Sequence, residues 1–169
     1  MNKLPVLIWQ QLICRGELML TERIIRNTKR KNMHEVFEHT ADLGLRIRNE
    51  TLAALFKEAG TALFELMVEN MDVVQPRIQR RIHIEQEETE LLFFDWLNEL
   101  LYLADADQLV LCRFDVSINH NVLDAIVSGE PRDEARHQLD HEVKAVTYHQ
   151  LKLEQEPDGQ WLAEVILDI

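Results

Sequence analysis

The stretch Phe37-Glu38-His39-Thr40-Ala41-Asp42-Leu43-Gly44 sets a carboxylate, an imidazole and a hydroxyl between two short apolar runs. Its polar centre predicts a turn between two strands, in which Asp42 can offer hard oxygen to a cation and Gly44 relaxes the backbone beside it. An ordinary turn, in which Thr40 or Asp42 bonds its own backbone, is the commoner use of such residues. The motif by itself leaves both interpretations open.

Outward from this stretch, hydrophobic periodicity predicts an α+β fold. Leu43, Leu45 and Ile47 fall on one face and Arg46 and Arg48 on the other, as in a half-buried strand. Apolar residues then recur at helical spacing over 52–67 and again from Thr89 onward. Further alternating runs lie at 78–84, 114–127, 143–155 and 161–167. We expect a single compact domain with two helices packed on a mostly antiparallel β-sheet.

The segment from Gly129 to Asp140 is polar and carries Pro131 and several charges, which predicts an exposed loop. His137 and His141 are four residues apart, a spacing that on a helix would suit zinc. No helical pattern surrounds them, so a mobile polar loop is the simpler interpretation.

The end of the chain also offers oxygen ligands. Asp-Gly at 158–159 between alternating runs predicts a hairpin, whose return strand from Trp161 to Leu167 leads directly to Asp168 and the carboxylate of Ile169. Hard cations such as calcium favour these ligands. A frayed tail is the usual state of a terminus, but a paired strand would hold Asp168 more rigidly.

Charge is unevenly distributed along the 169 residues. Residues 1–32 hold seven Lys or Arg and two Asp or Glu, a net charge of +5, which leaves −17 for residues 33–169 out of a total of −12. Because an acidic body repels phosphate backbones, we expect a cation or a protein partner and no strong direct binding of nucleic acid. The apolar runs are too short for a membrane helix. Cys14 and Cys112 show no metal or redox spacing, which favours free thiols and a cytoplasmic location.

Four segments, in this order, carry a likeness to a known family. They are Glu38-His39-Thr40-Ala41-Asp42-Leu43-Gly44, Phe94-Asp95-Trp96-Leu97-Asn98-Glu99-Leu100-Leu101-Tyr102, Val143-Lys144-Ala145-Val146-Thr147-Tyr148-His149 and Leu167-Asp168-Ile169. Together they resemble the archease family from about Met33 to the last residue. The resemblance implies a metal-binding accessory protein for tRNA splicing or RNA repair, which activates a GTP-dependent, 3′-phosphate-joining RNA ligase by promoting its guanylylation and multiple turnover. The accessory protein itself would perform no covalent step.

The resemblance also implies a set of site residues. By matching motifs, Asp42, Asp168 and Ile169 would hold a divalent cation, with Ca²⁺ expected first and Mg²⁺ or Mn²⁺ as alternatives. Lys144 would contact the ligase or a phosphate, although a solvated strand lysine is an equal interpretation. His39 is expected to orient the turn rather than to bind metal, and it is a second candidate partner contact.

A different class of function uses the same acids. In a stand-alone divalent-metal-dependent hydrolase, Asp42 and Asp168 would hold a cation that activates water. Turnover of phosphoesters by the purified protein, without any ligase, would identify that class.

Residues 1–32 show no pattern that clearly joins the later core. They fit either a basic appendage that contacts something anionic or an upstream extension from a start codon assigned too early, and we favour the second. The chain is thus expected to comprise an N-terminal extension, 1–32, and an archease-like domain, 33–169.

Deletion of residues 1–32 is therefore expected to be harmless. A protein that begins at Met33 should melt within about 2–4 °C of the full chain, the shift that roughly 1 kcal/mol produces at this size. Calorimetry and a ligase-activation assay would check this, and a large loss in either would show that the extension belongs to the working protein.

Overall fold

The computed structural model describes residues 33–39 and 42–169. The expected extension 1–32 and the turn residues Thr40 and Ala41 lie outside the described residues, as do the side chains of Glu38 and His39. The compact unit His34–Ile169 is described by itself.

The strands form two antiparallel sheets, one of four strands and one of three. The first has the order β1-β2-β7-β6, with β1 at His34–His39, β2 at Asp42–Asn49, β6 at Ala145–Gln155 and β7 at Trp161–Asp168. The second has the order β3-β5-β4, with β3 at Ile78–Glu85, β4 at Leu109–Asn119 and β5 at Val122–Pro131. The predicted α+β class is confirmed, and its sheet proves to be divided in two.

Two helices cover the sheets, α1 at Leu52–Met67 and α2 at Thr89–Asp105. A single 3₁₀ turn, Met71–Val73, follows α1. Thr51 caps α1, because its hydroxyl oxygen accepts a hydrogen bond from the Ala54 amide at 3.2 Å. Helix α1 packs on both β2 and β4, so it joins the two sheets, while α2 packs mainly on β6. No helix among the described residues combines the length and the apolar character needed to cross a membrane.

One buried tryptophan connects the two helices. Trp96 of α2 is completely buried, and its indole Nε1 donates a hydrogen bond to the Phe56 carbonyl of α1 at 2.9 Å. Phe56 and Phe93 meet edge to face, with ring centroids 5.0 Å apart. Because the indole N–H has a hydrogen-bond partner inside the core, the whole ring can be buried without an unsatisfied polar group.

The segment from Gly129 to Asp140, predicted as an exposed loop, is exposed over most of 131–140, but its first two residues and His137 are buried. Strand β5 continues to Pro131, Glu130 is only 1% exposed and His137 only 2% exposed. Farther along, the amides of Asp140 and His141 donate to the Met67 and Leu66 carbonyls at 3.0 and 3.3 Å. These bonds satisfy carbonyls that the C-terminal end of α1 would otherwise leave without partners.

Glu130 is the centre of the buried anchor. Its carboxylate accepts hydrogen bonds from both terminal nitrogens of Arg136, each at 3.1 Å, and from the Gln75 amide at 3.0 Å. His137 Nε2 lies 3.3 Å from the same carboxylate. The Arg136 guanidinium, ahead of these other donors, lowers the pKa of Glu130 to about 2, although burial acts in the opposite direction. The anchor positions the chain that continues to Lys144.

Replacement of this buried acid should destabilise the fold in a pH-dependent way. We expect Glu130→Gln to lower the free energy of unfolding by about 1–3 kcal/mol at pH 7, because it removes the charged partner of Arg136. Since the folded pKa lies below the ordinary 4.5, Glu130 stabilises the fold above about pH 4.5 and loses that effect as the pH falls toward 2.

Urea titrations at pH 7 and pH 3 would measure both effects, with Glu154→Gln as the matched control. Glu154 pairs with Lys152 at 2.8 Å, but both side chains are largely exposed, so its loss should cost well under about 1 kcal/mol. A Glu130→Gln deficit that matched the control, or that stayed constant between the two pH values, would contradict the assignment.

Candidate functional site

The predicted metal ligands Asp42 and Asp168 come together at one end of the four-stranded sheet. Strand β2 begins at Asp42 and β7 ends at Asp168, and the two strands pair in a register that sets Leu43 opposite Leu167. Continued by one residue beyond this last pair, the same register would set Asp42 opposite Asp168. Opposing residues of an antiparallel pair point to the same face, with Cα atoms about 4.5–5.5 Å apart.

The two acids project from the face opposite to the core. Leu43 and Leu167 pack toward the hydrophobic core, and side chains alternate along a strand, so Asp42 and Asp168 point away from it. Asp168 is exposed and Asp42 is half-buried. The carboxylates are therefore accessible to an ion or to a partner molecule.

The flanking strands complete a row across the sheet. His39 of β1 lies opposite Asp42, and Ala145 of β6 lies opposite Asp168. The backbone of His39 is thus beside the predicted ligand, as a turn-orienting residue requires, but its side chain lies outside the described residues. The roles expected of the His39 imidazole therefore stay predictions.

The chain terminus is held in place by Lys144. The Lys144 amide donates to the Asp168 carbonyl at 2.8 Å, and its ammonium Nζ donates to the Ile169 main-chain oxygen at 2.9 Å. The Ile169 side chain packs against the hydrophobic core. Lys144, predicted as a partner contact, thus has a definite role within the chain: it orients the terminal oxygens beside Asp168.

The end of the four-stranded sheet thus carries three anionic groups and one cation. The carboxylates are those of Asp42, Asp168 and the chain terminus, and the cation is Lys144. Two like charges at about 4 Å repel by roughly 1–4 kcal/mol in an environment between water and protein surface. A bound divalent cation would relieve that repulsion, which is the electrostatic argument for metal binding at this end of the sheet.

The donor set fits a hard cation, but it is incomplete. Asp42, Asp168 and Ile169 supply only oxygen ligands, the kind that Ca²⁺ and Mg²⁺ prefer. Within the described part of the chain, no three His, Cys, Asp or Glu side chains are grouped so that they could hold an ion. Two carboxylates and a terminal group leave coordination positions for water or for an incoming molecule.

The sequence did not reveal the contact between Lys144 and the terminus. Near the Asp158-Gly159 turn, Lys152 pairs with Glu164. If this register continued without a break, Thr147 would lie opposite Ile169. An irregularity between Thr147 and Lys152 shifts the register, so that Ala145 pairs with Asp168 and Lys144 reaches Ile169. Gln150, with a φ of 58°, lies in this irregular stretch, and no local motif announced it.

Known proteins resemble this chain over nearly all of its described length. Residues 34–169 match the family model described as "Archease protein family (MTH1598/TM1083)". "Protein archease" of Pyrococcus furiosus is 39% identical over 139 residues, which are 80% of this chain and 97% of that protein. "Protein archease" of Methanopyrus kandleri is 37% identical over 139 residues, with coverage of 80% and 98%.

Solved structures give the same result. The solution structure of protein 1598 of Methanobacterium thermoautotrophicum matches with a TM-score of 0.71 and 34% identity, over 81% of this chain and 99% of that one. The crystal structure of an archease from Thermotoga maritima, described as a possible chaperone, matches with a TM-score of 0.57 and 26% identity, over 81% and 98%. The resemblance carried by the four sequence segments is confirmed: the chain belongs to the archease family.

Proposed function

We propose that this protein is a metal-binding accessory protein that activates a GTP-dependent RNA ligase of the 3′-phosphate-joining type, in tRNA splicing or RNA repair. It would promote guanylylation of the ligase and restore the ligase for multiple turnover. The observation that carries the proposal is the convergence of Asp42, Asp168 and the Lys144-bound terminus at one exposed edge. Membership of the archease family adds to it.

Each residue of the site has a distinct part in this proposal. Asp42 and Asp168 supply negative charge on one face, and Lys144 orients the Ile169 oxygens beside them. A divalent cation, Ca²⁺ first and Mg²⁺ or Mn²⁺ as alternatives, would supply positive charge to phosphate oxygens when bound there. Because the chain alone offers few ligands, the remaining positions would be open to a nucleotide or to the active site of the ligase.

The charge of the described body favours a protein partner over free RNA. Residues 33–169 carry −17, so they repel a phosphate backbone unless positive charge is supplied locally. An accessory protein of this kind would thus approach the nucleotide only at the cation-bearing edge. The rest of its acidic surface would remain clear of the RNA that the ligase joins.

One assay separates this proposal from a stand-alone hydrolase. The purified protein would be given the ligase encoded in the same genome, labelled GTP and a divalent cation, and formation of guanylylated ligase would be followed over time. We expect faster guanylylation and several joining events per ligase molecule. Phosphoester turnover by the protein alone, with no effect on the ligase, would instead favour the hydrolase.

Removal of either side-chain acid should impair ion binding and activation while the fold is retained. We expect Asp42→Asn and Asp168→Ala each to weaken ion affinity about tenfold or more, because each removes one anionic ligand from a small donor set. Calorimetric ion titration and the guanylylation assay would measure the effect.

Asp115→Asn is the matched control for these substitutions. Asp115 is exposed, pairs with Arg113 at 3.1 Å and lies on the three-stranded sheet, so its change should leave ion affinity unaltered. If Asp42→Asn kept the ion affinity of the unchanged protein, Asp42 would have to be removed from the site.

The terminus gives a second test. Residues added after Ile169 convert its carboxylate to a neutral peptide carbonyl and crowd the edge beside Lys144. We therefore expect a C-terminal tag to reduce ligase activation more than the same tag placed before Met1. Equal activation and equal ion affinity for both tagged forms would exclude Ile169 as a ligand.

A further inference from the structure

A cleft of about 820 Å³ lies between the C-terminal half of α2 and the segment 139–145. We call it the helix-end cleft. Its floor includes the buried side chains of Leu101, Leu109 and Val143. Tyr102, 61% exposed, and Leu139, 48% exposed, stand on its walls and are two of the five exposed large hydrophobic side chains in the described part of the chain. Apolar side chains left in water beside an apolar floor are typical of a binding surface.

The rim of the helix-end cleft is acidic. Asp105, Asp140 and Glu142 line it, and all three are exposed. Of the two cationic side chains that line it, Lys144 donates to the terminal Ile169, and Arg132 donates to the side chain of Gln108. An occupant with a lysine or arginine beside an apolar group would match this rim, whereas an RNA backbone would be repelled.

The cleft adjoins the strand-end site, which comprises Asp42, Asp168 and Ile169 at one end of the four-stranded sheet. Lys144 and Ala145 line the cleft, while Lys144 also bonds Ile169 and Ala145 pairs with Asp168. Lys144 and Ala145 therefore connect the cleft wall to the end of β7, where Asp168 and Ile169 lie. The same partner can contact both places.

The walls of the cleft are already formed without a partner. Leu139 forms a bridge with Val68, and the Asn70 side chain bonds the Gln138 amide and the Arg136 carbonyl, each at 2.8 Å. A preformed wall loses little conformational entropy when it binds, which favours a specific docking role.

We propose that the helix-end cleft docks a short segment of the RNA ligase, which places one large apolar side chain between Tyr102 and Leu139 and a lysine or arginine against Asp140 and Glu142. This inference rests on the proposed function and names the contact through which the partner is held. It separates two tasks: the strand-end acids serve the ion, and the cleft supplies affinity for the ligase.

The test compares Tyr102→Glu and Leu139→Glu with Ile126→Glu, a change of the same kind at an exposed position on the three-stranded sheet. All three sites are exposed, so melting temperatures are expected to stay close to that of the unchanged protein. Ligase affinity would be measured by biolayer interferometry, ion affinity by calorimetry and guanylylation with labelled GTP.

We expect both cleft variants to weaken ligase affinity about tenfold or more with unchanged ion affinity, and a higher concentration of variant to restore guanylylation. Ile126→Glu should alter none of these quantities. Asp42→Asn should show the opposite pattern: ion affinity falls while ligase affinity is unchanged. A higher concentration of this variant should not restore guanylylation.

Four results would overturn the docking proposal. If the unchanged protein activates the ligase and both cleft variants bind it as tightly, the proposal fails while the proposed function stands. If the unchanged protein neither binds nor activates the ligase, the proposed function fails and the docking proposal fails with it. Loss of self-association in sedimentation, or loss of binding to a labelled RNA oligonucleotide, with ligase affinity unaltered, would assign the cleft to a second copy or to RNA.

Discussion

The antiparallel pairing of β2 with β7 is the constraint on which the candidate site depends. It joins residues from opposite ends of the described unit and runs from Leu43 opposite Leu167 to Asn49 opposite Trp161. In the middle of this ladder the inward side chains of Leu45, Ile47 and Val165 are completely buried. A slip of one residue would turn this apolar row to solvent, so burial sets the register and thereby sets Asp42 beside Asp168.

The terminus depends on a second constraint, the irregular pairing of β6 with β7. The register shift between Thr147 and Lys152 moves Lys144 to the end of β7, where it bonds the Ile169 oxygen. The segment that leads to Lys144 is held in turn by the buried Glu130 anchor and by its bonds to the end of α1. The position of Lys144 thus depends on contacts made elsewhere in the fold, at Glu130 and at the C-terminal end of α1.

In the proposal, the end of the four-stranded sheet binds the ion and the helix-end cleft binds the ligase. At the end of the four-stranded sheet, Asp42, Asp168 and the chain terminus are all anionic, and a cation or a basic partner would stabilise them. In the cleft, apolar walls and an acidic rim offer area and charge complementarity, which serve affinity and specificity. Lys144 is common to both, because it lines the cleft and its ammonium donates to the Ile169 oxygen.

The sequence by itself determined the elements and the chemical character of the site. Alternation at Leu43, Leu45 and Ile47 predicted β2, helical spacing predicted α1 and α2, and Asp-Gly at 158–159 predicted the last hairpin, because these signals are local. The resemblance to the archease family predicted Asp42, Asp168 and Ile169 as site residues. Membership of that family is confirmed.

Only the tertiary structure decided what lies next to what. The division of the strands into two sheets, the burial of Glu130 and His137 within a polar stretch, and the bond from Lys144 to Ile169 all arise between distant segments. A polar stretch is predicted to be exposed unless its hydrogen-bond partners are known. The partners of Glu130 are the Arg136 guanidinium and the Gln75 amide, which come from separate parts of the chain. Register shifts and buried ion pairs depend on long-range packing, so local sequence patterns do not predict them.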